Sequence, residues 1–178
     1  MTTWKQENRV ILPKPGKEDY SVCNAYRTVL ITSCLGKRFE FITAQRLMAF
    51  LDSTSFDMDQ FAYLKRSTTQ ALLTVTEKVK KGLLNANKAG VLFFDFFDAF
   101  GSVNRSRLLV KIGRDFGISG RLFLHIQSFL TNRFARLKID NCFGDWIESI
   151  IGTTGGTRLG PLLFIMYLHY VPRSISSK

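Results

Sequence analysis

Residues that staple or metallate small domains are scarce in this sequence. Three cysteines occur in 178 residues, Cys23, Cys34 and Cys142. They are odd in number and far apart, with no Cys-x-x-Cys or histidine-spaced pair. That argues against a disulfide scaffold and a zinc site, and for a reducing compartment. Acidic side chains are also few: 14 Asp+Glu stand against 25 Lys+Arg, a net charge of +11. The excess calls for an anionic partner, most simply a nucleic-acid backbone, or else serves solubility. No apolar run approaches the roughly 20 residues of a membrane-spanning helix, PLLFIMYLHYV near the C-terminus included. The polar start MTTWKQENRVILPK has no apolar signal segment. There is no internal repeat or low-complexity tract. The expectation is an intracellular protein of the cytoplasm or nucleus, away from membranes and without an obligate protein partner.

What the chain does have is a globular composition, with 46% hydrophobic and 22% charged residues and 16 phenylalanines. A chain of this length buries about 70% of its unfolded surface and can hold a real core. Arg9–Pro13 and the alternating stretch AYRTVLITS predict a hairpin over 9–33, its tip the basic turn KPGKEDYS. Apolar spacing from Leu35 to Leu51 predicts an amphipathic helix, followed by the loop DSTSFDMD. Ser67–Gln70 has the spacing of a capping box, and Ala71, Leu72, Val75, Val79 and Leu83 continue its helix until Gly82, Asn85 and Gly90 close it. Asn104 or Ser102 can cap a helix through Phe116, and Ser119 another through Leu130. FARLKID and DWIESII predict a second hairpin around NCFG, and Pro161 can open a last helix. The fold class is α+β, a sheet with packed helices.

Residues 91–100, VLFFDFFDAF, set two aspartates in an apolar run. The run reads as a strand covered on both faces, with its phenylalanines in the core. A charge buried without a partner is expensive. A carboxylate at the end of such a strand can point into a cleft and hold Mg²⁺. Taken alone, Asp95 reads first as a turn aspartate before Phe100–Asn104.

Its neighbours change that reading. VLFFDFFDAF followed by SVNRSRLLVKI resembles motif A of reverse transcriptases of non-LTR retrotransposons, LINE- or jockey-like. WKQENRVILPKPGKEDY resembles the basic approach to the fingers of that family. NAYRTVLITSCLGKRFE, QFAYLKRSTTQALL and GTTGGTRLGPLLFIMYLHYVP resemble, in order, its Asn-Tyr-Arg-Pro-Ile-Ser-Leu stretch, its Arg-Ser-Thr-Thr segment and its motif B. Five segments in one order over nearly the whole chain make a specific signal. The resemblance implies a piece of a right-hand polymerase, with 1–88 a portion of the fingers and 89–178 a partial palm built on an antiparallel sheet. It implies an RNA-directed DNA polymerase, a nucleotidyltransferase of a mobile element that works with Mg²⁺ on deoxynucleoside triphosphates, an RNA template and a DNA primer. By the same resemblance, Asp95 is the catalytic metal ligand and Phe96 lends its carbonyl. Asp98 and Ala99 offer backbone N–H groups to the triphosphate, and Phe100 is the ring that excludes a ribose 2′-hydroxyl. Arg27, with Lys14 or Lys17, meets the triphosphate, and Gly156 of motif B stands near the substrate. Without the resemblance, Phe100 reads as core, Arg27 as a surface cation, and Lys14 and Lys17 as solvated turn charges. Arg105, Arg107, Lys111 and Arg114 on one helix, with Arg133, Arg136 and Lys138 on a strand, can track the template–primer backbone or form a solvated face. His125 reads as packing.

The chain departs from the pattern in several places. Thr154-Gly155-Gly156 stands for Pro-Gln-Gly, so the motif B glutamine has no bearer. Gly101 stands for the aspartate after Ala-Phe, and Thr28 for the proline after Tyr-Arg. The Arg66 segment lacks its glycine. No Asp-Asp pair, the mark of motif C, occurs anywhere in the 178 residues. The expectation is therefore a polymerase piece inactive by itself, with a non-catalytic nucleic-acid-binding relic as the alternative.

Overall fold

Two hairpins meet along one sheet, and four helices close a core beside it. The computed structural model describes residues 3–54, 60–62, 66–86, 88–153 and 156–169. Parts of the DSTSFDMD loop and of the QFAYLKR segment, Thr154, Gly155 and the tail from 170 lie outside them. The N-terminal hairpin pairs β1 (Gln6–Pro13) with β2 (Tyr26–Thr32), antiparallel from Glu7 opposite Thr32 to Pro13 opposite Tyr26. The second hairpin runs from β3 (Phe134–Ile139) into β4 (Cys142–Phe143) and β5 (Ile147–Glu148), both antiparallel to β3. Its tip turns at Asp140 with φ +50°, a conformation that aspartate tolerates. Where the hairpins meet, β1 lies parallel to β3, Gln6 opposite Phe134 and Val10 opposite Lys138. The sheet is thus antiparallel within each hairpin and parallel at the seam.

The seam holds a buried ion pair. Arg133, expected to face nucleic acid, is 2% exposed, and its Nη2 donates to Glu7 Oε2 at 3.1 Å. Its Nη1 donates to the Phe129 carbonyl at 3.2 Å, and its guanidinium lies over the Phe129 ring. That expectation is corrected: Glu7 sits in the seam and needs a cation, and Arg133 supplies it.

Local capping sets the helices. Helix α1 (Cys34–Ser53) starts at Ser33, whose Oγ accepts from Gly36 N at 3.0 Å. Helix α2 (Thr68–Ala86) opens on a complete capping box: Gln70 N donates to Ser67 Oγ at 3.2 Å and Ser67 N to Gln70 Oε1 at 2.9 Å. It runs through Gly82 rather than closing there. Helix α3 (Arg105–Arg114) is capped by Asn104 Oδ1, which accepts from Arg107 N at 2.9 Å. Helix α4 (Gly120–Leu130) follows Ser119, whose side chain makes no capping bond. Helix α5 (Leu159–Tyr167) begins two residues before Pro161, which still lies in the first turn, where no N–H partner is lost. Glu40 of α1 caps it, accepting from Leu159 N at 2.8 Å. No helix among the described residues is long and apolar enough to cross a membrane.

The core lies among α1, α3, α4 and α5: Leu47 and Leu51, Leu108 and Ile112, Ile126 and Leu130, Leu162, Leu163 and Met166 are all buried. His125 packs its ring 4.8 Å from that of Phe39. The run at 91–97 is not part of this core. It forms no strand, and Phe93 is 85% exposed. The expected strand is therefore corrected. A strand needs a ladder partner and an apolar run needs cover; no described residue pairs with 91–97, and the helices close the core without it.

Arg105 also leaves the expected basic track. It is buried, and its guanidinium donates to the carbonyls of Gly152 at 2.7 Å, Leu130 at 2.9 Å and Ile151 at 3.0 Å, to that of Ser149, and to Ser149 Oγ at 3.1 Å. It thus ties the end of α4 to the strap 149–152. Burial first, then the neighbouring Arg133, push its pKa down to about 10, so it stays charged at neutral pH. Lys111 is likewise engaged, with Nζ donating to the Tyr167 carbonyl at 2.5 Å.

Three variants test this arrangement by urea unfolding. Leu163→Ala, in the closed core, is expected to cost about 2–5 kcal/mol, whereas Phe93→Ala is expected to stay within about 0.5 kcal/mol of the parent. Arg105→Lys keeps the charge but not the planar fork, so buried carbonyls lose their donors; a loss of about 2–4 kcal/mol is expected. Unchanged stability would mean that the clasp does not hold the strap.

Candidate active site

Between the β1–β2 hairpin and residues 147–153, which are β5 and the strap after it, lies a cleft of about 1010 Å³. The turn Asp95–Gly101 forms its third wall. Lys14, Lys17, Arg27 and Arg136 line it together with Asp95, Phe96, Asp98 and Phe100. These positions come from both ends of the sequence, and the folded sheet is what gathers them.

The acidic wall is a tight turn. Phe96 N donates to Asp95 Oδ1 at 2.9 Å, and Ser102 N donates to the Asp98 carbonyl at 2.9 Å. Asp98 takes φ +44°, in the left-handed region. Phe100 is 38% exposed and packs 5.3 Å from the Phe164 ring, so it touches the core of α5 and faces the cleft at once. Behind it the strap crosses backbone on backbone. Gly152 N donates to the Val103 carbonyl and Thr153 N to the Phe100 carbonyl, both at 2.8 Å. A Cβ on Gly152, with φ +81°, would stand 3.0 Å from Gly101 Cα and from the Phe100 and Gly101 carbonyl oxygens. A Cβ on Gly101 would fall on the Asp98 carboxylate. A side chain at Gly101 would thus need the Asp98 carboxylate to swing aside, whereas one at Gly152 would meet backbone.

The cations differ in how they are held. Lys14 Nζ donates to the Asn24 carbonyl at 3.0 Å across the hairpin tip, and Arg136 Nε to Asn8 Oδ1 at 2.8 Å. Arg27 is exposed at the start of β2. Arg107, Lys111, Lys138, Ala99 and Gly156 do not line the cleft. Arg114 pairs with Asp115 at 2.9 Å. The helix of basic residues is therefore not one track. Sequence reading missed Arg9, Tyr26, Glu148 and Ser149 in the lining. Arg9 was legible through strand alternation, since it shares a face with Glu7; Ser149 was not, because only the strap's crossing brings it there.

Asp95 and Asp98 put two carboxylates on one wall, and no cluster of three or more metal-ligating side chains exists among the described residues. A hard divalent cation takes six or more oxygens, several from carboxylates when two ions are held. The donor set present does not by itself hold the metal pair. Cys23, Cys34 and Cys142 are free and exposed, and add no site.

The comparisons agree in kind. Over 172 residues the chain is 24% identical to the probable RNA-directed DNA polymerase from transposon X-element of Drosophila melanogaster, covering 96% of this chain and 19% of that protein. It is 25% identical over 171 residues to the corresponding protein from transposon BS of Drosophila melanogaster, covering 95% and 18%. Against the RNA-directed DNA polymerase from mobile element jockey of Drosophila funebris it is 29% identical over 167 residues, covering 92% and 18%. The chain therefore spans about a fifth of the length of these relatives. Residues 12–178 match the family described as reverse transcriptase (RNA-dependent DNA polymerase), a span that takes in the cleft lining from Lys14 to Thr153 but not Glu7 and Arg9. The chain belongs to the reverse transcriptase family.

Proposed function

We propose that the chain is the fingers and front palm of an RNA-directed DNA polymerase of a mobile element, with 1–88 on the fingers side and 89–178 on the palm side. The observation that carries this reading is the single cleft that gathers Asp95, Asp98 and Phe100 with Lys14, Lys17, Arg27 and Arg136. Six cationic side chains line the cleft with four carboxylates, a charge excess that suits a polyanionic substrate, and the turn that carries Asp95 and Asp98 offers carboxylates to the reaction. In this reading Arg27, with Lys14 or Lys17, meets the triphosphate of an incoming deoxynucleotide, a geometry that suits guanidinium. Phe100 packs under its sugar, and the backbone of Phe96 and Asp98 borders the phosphates; Ala99 and Gly156, also expected there, lie outside the cleft lining. Arg107, Arg136 and Lys138 remain as contacts to the RNA template and DNA primer; Arg105 and Arg133 do not, since their guanidinium groups are spent inside the protein. The setting is the cytoplasm or nucleus, where such a template is met.

The family's nucleotidyl transfer typically uses a divalent metal, and we take that metal to be Mg²⁺, with Asp95 as one ligand. Because Asp95 and Asp98 do not complete a ligand set, the 178-residue chain is expected to extend no primer on an RNA template with Mg²⁺ or Mn²⁺. Template-dependent addition lost in Asp95→Ala would overturn that expectation. RNA–DNA hybrid is nevertheless expected to bind, with little sequence preference. If about five phosphates are engaged, the log–log dependence on salt should have a slope near −4. Arg27→Ala should make that slope shallower by about 1. Binding that is flat between low and physiological salt would mean that the charge excess serves solubility, and would count against the reading.

A further inference from the structure

Arg136 does more than carry charge into the cleft. Its guanidinium lies over two rings, 4.0 Å from the centre of Phe143 and 4.5 Å from that of Trp146. Lys138 Nζ is 5.6 Å from the same Phe143 ring. Strand register explains the grouping. Arg136 stands opposite Asn8 and Lys138 opposite Phe143, so cations and ring share one face of the sheet. The Asn8 bond fixes the Arg136 stem, which keeps the guanidinium from swinging away. Neither ring is buried: Phe143 is 49% exposed and Trp146 36%. Core packing therefore does not account for two aromatics on a two-residue strand and the connection after it.

We propose that Phe143 and Trp146, held by Arg136, form a stacking platform beside the cleft, on the sheet face of Asn8 and Lys138, for bases of an unpaired polynucleotide. The ligand class follows from the chemistry. Every base offers a π-face, and an exposed ring beside cations binds both base and phosphate. A duplex hides those faces within its own stack, so an unpaired strand fits and a paired one does not. Charge is complementary, with Arg136 and Lys138 at the platform, Arg27 lining the adjoining cleft, and +11 on the chain. The proposal rests on the polymerase reading to the extent that the cleft holds nucleic acid, and it names the residues that would hold its unpaired segment.

The sequence has two tryptophans, so Trp4→Phe leaves Trp146 as the sole emitter. That protein is titrated with single-stranded RNA and DNA of about 12 nucleotides, and with the matching duplex. Anisotropy of a labelled strand measures binding independently. Either single strand is expected to quench Trp146 saturably, since stacking reads base faces rather than sugars, and the duplex to quench it less. Phe143→Ala should weaken single-strand affinity about fivefold or more, while Phe143→Tyr, which keeps the ring, should not. Circular dichroism melts check that each variant folds. If Phe143→Ala does not fold, the quenching in the protein with Phe143 intact decides the matter. Strands that bind by anisotropy without changing Trp146 emission, and with equal affinity in folded Phe143→Ala, overturn the platform and leave the polymerase reading standing. No binding of any strand or duplex overturns both.

Discussion

A single buried guanidinium ties this molecule together. Arg105 begins α3, reaches the last carbonyl of α4, and donates to the strap that follows β5. Three segments far apart in sequence thus converge on one planar group with donors in a fixed fork. A lysine has the charge but not the geometry. The burial of that charge works against stability, and the neighbouring Arg133 adds to the penalty. The carbonyls around it offset this, because without Arg105 they would lack donors. Arg133 solves the matching problem at the seam, where Glu7 would otherwise be a buried carboxylate between two hairpins.

The cleft follows from those two anchors. With the strap held by Arg105, Gly152 crosses Gly101 at backbone contact, and Thr153 hydrogen-bonds to the carbonyl of Phe100. The acidic turn is thereby set against α5, its Phe100 ring on Phe164. With the seam held by Glu7 and Arg133, the basic hairpin tip faces that turn across open space. Sheet and helices therefore contribute different things. The sheet carries the cations, and the helical core backs the turn that carries the aspartates.

The apolar run before Asp95 has another character. Val91 to Phe97 is exposed and unpaired among the described residues, although its composition is that of an interior strand. Composition expresses a demand for cover; whether that demand is met depends on what packs against the run. In this fold the core is completed by leucines and isoleucines of four helices, and the phenylalanines stay outside it. Exposed apolar runs of high β-propensity also favour self-association, which gives this segment a physical liability of its own.

Much was legible residue by residue. The N-terminal hairpin, the pairing of the 134–139 and 147–148 strands, the Ser67–Gln70 capping box, the Asn104 cap and the order of the five helices follow from local rules, because caps, turns and periodicity are decided by neighbours in sequence; the strand expected at 91–97 and the turn expected at Cys142–Phe143 do not. Asp95, Phe100 and the basic tip were singled out from their motifs, and they line one cleft. Tertiary structure alone decided which cations reach the cleft. Arg105, Arg107 and Arg114 look alike on a helix, and Arg133 resembles Arg136 on a strand. One position is turned inward to carbonyls and another to Glu7, while Arg136 lies over two rings. A charged side chain does not announce its partner in sequence, because that partner is fixed by chains crossing in space: the parallel seam of β1 with β3, and the strap over Gly101.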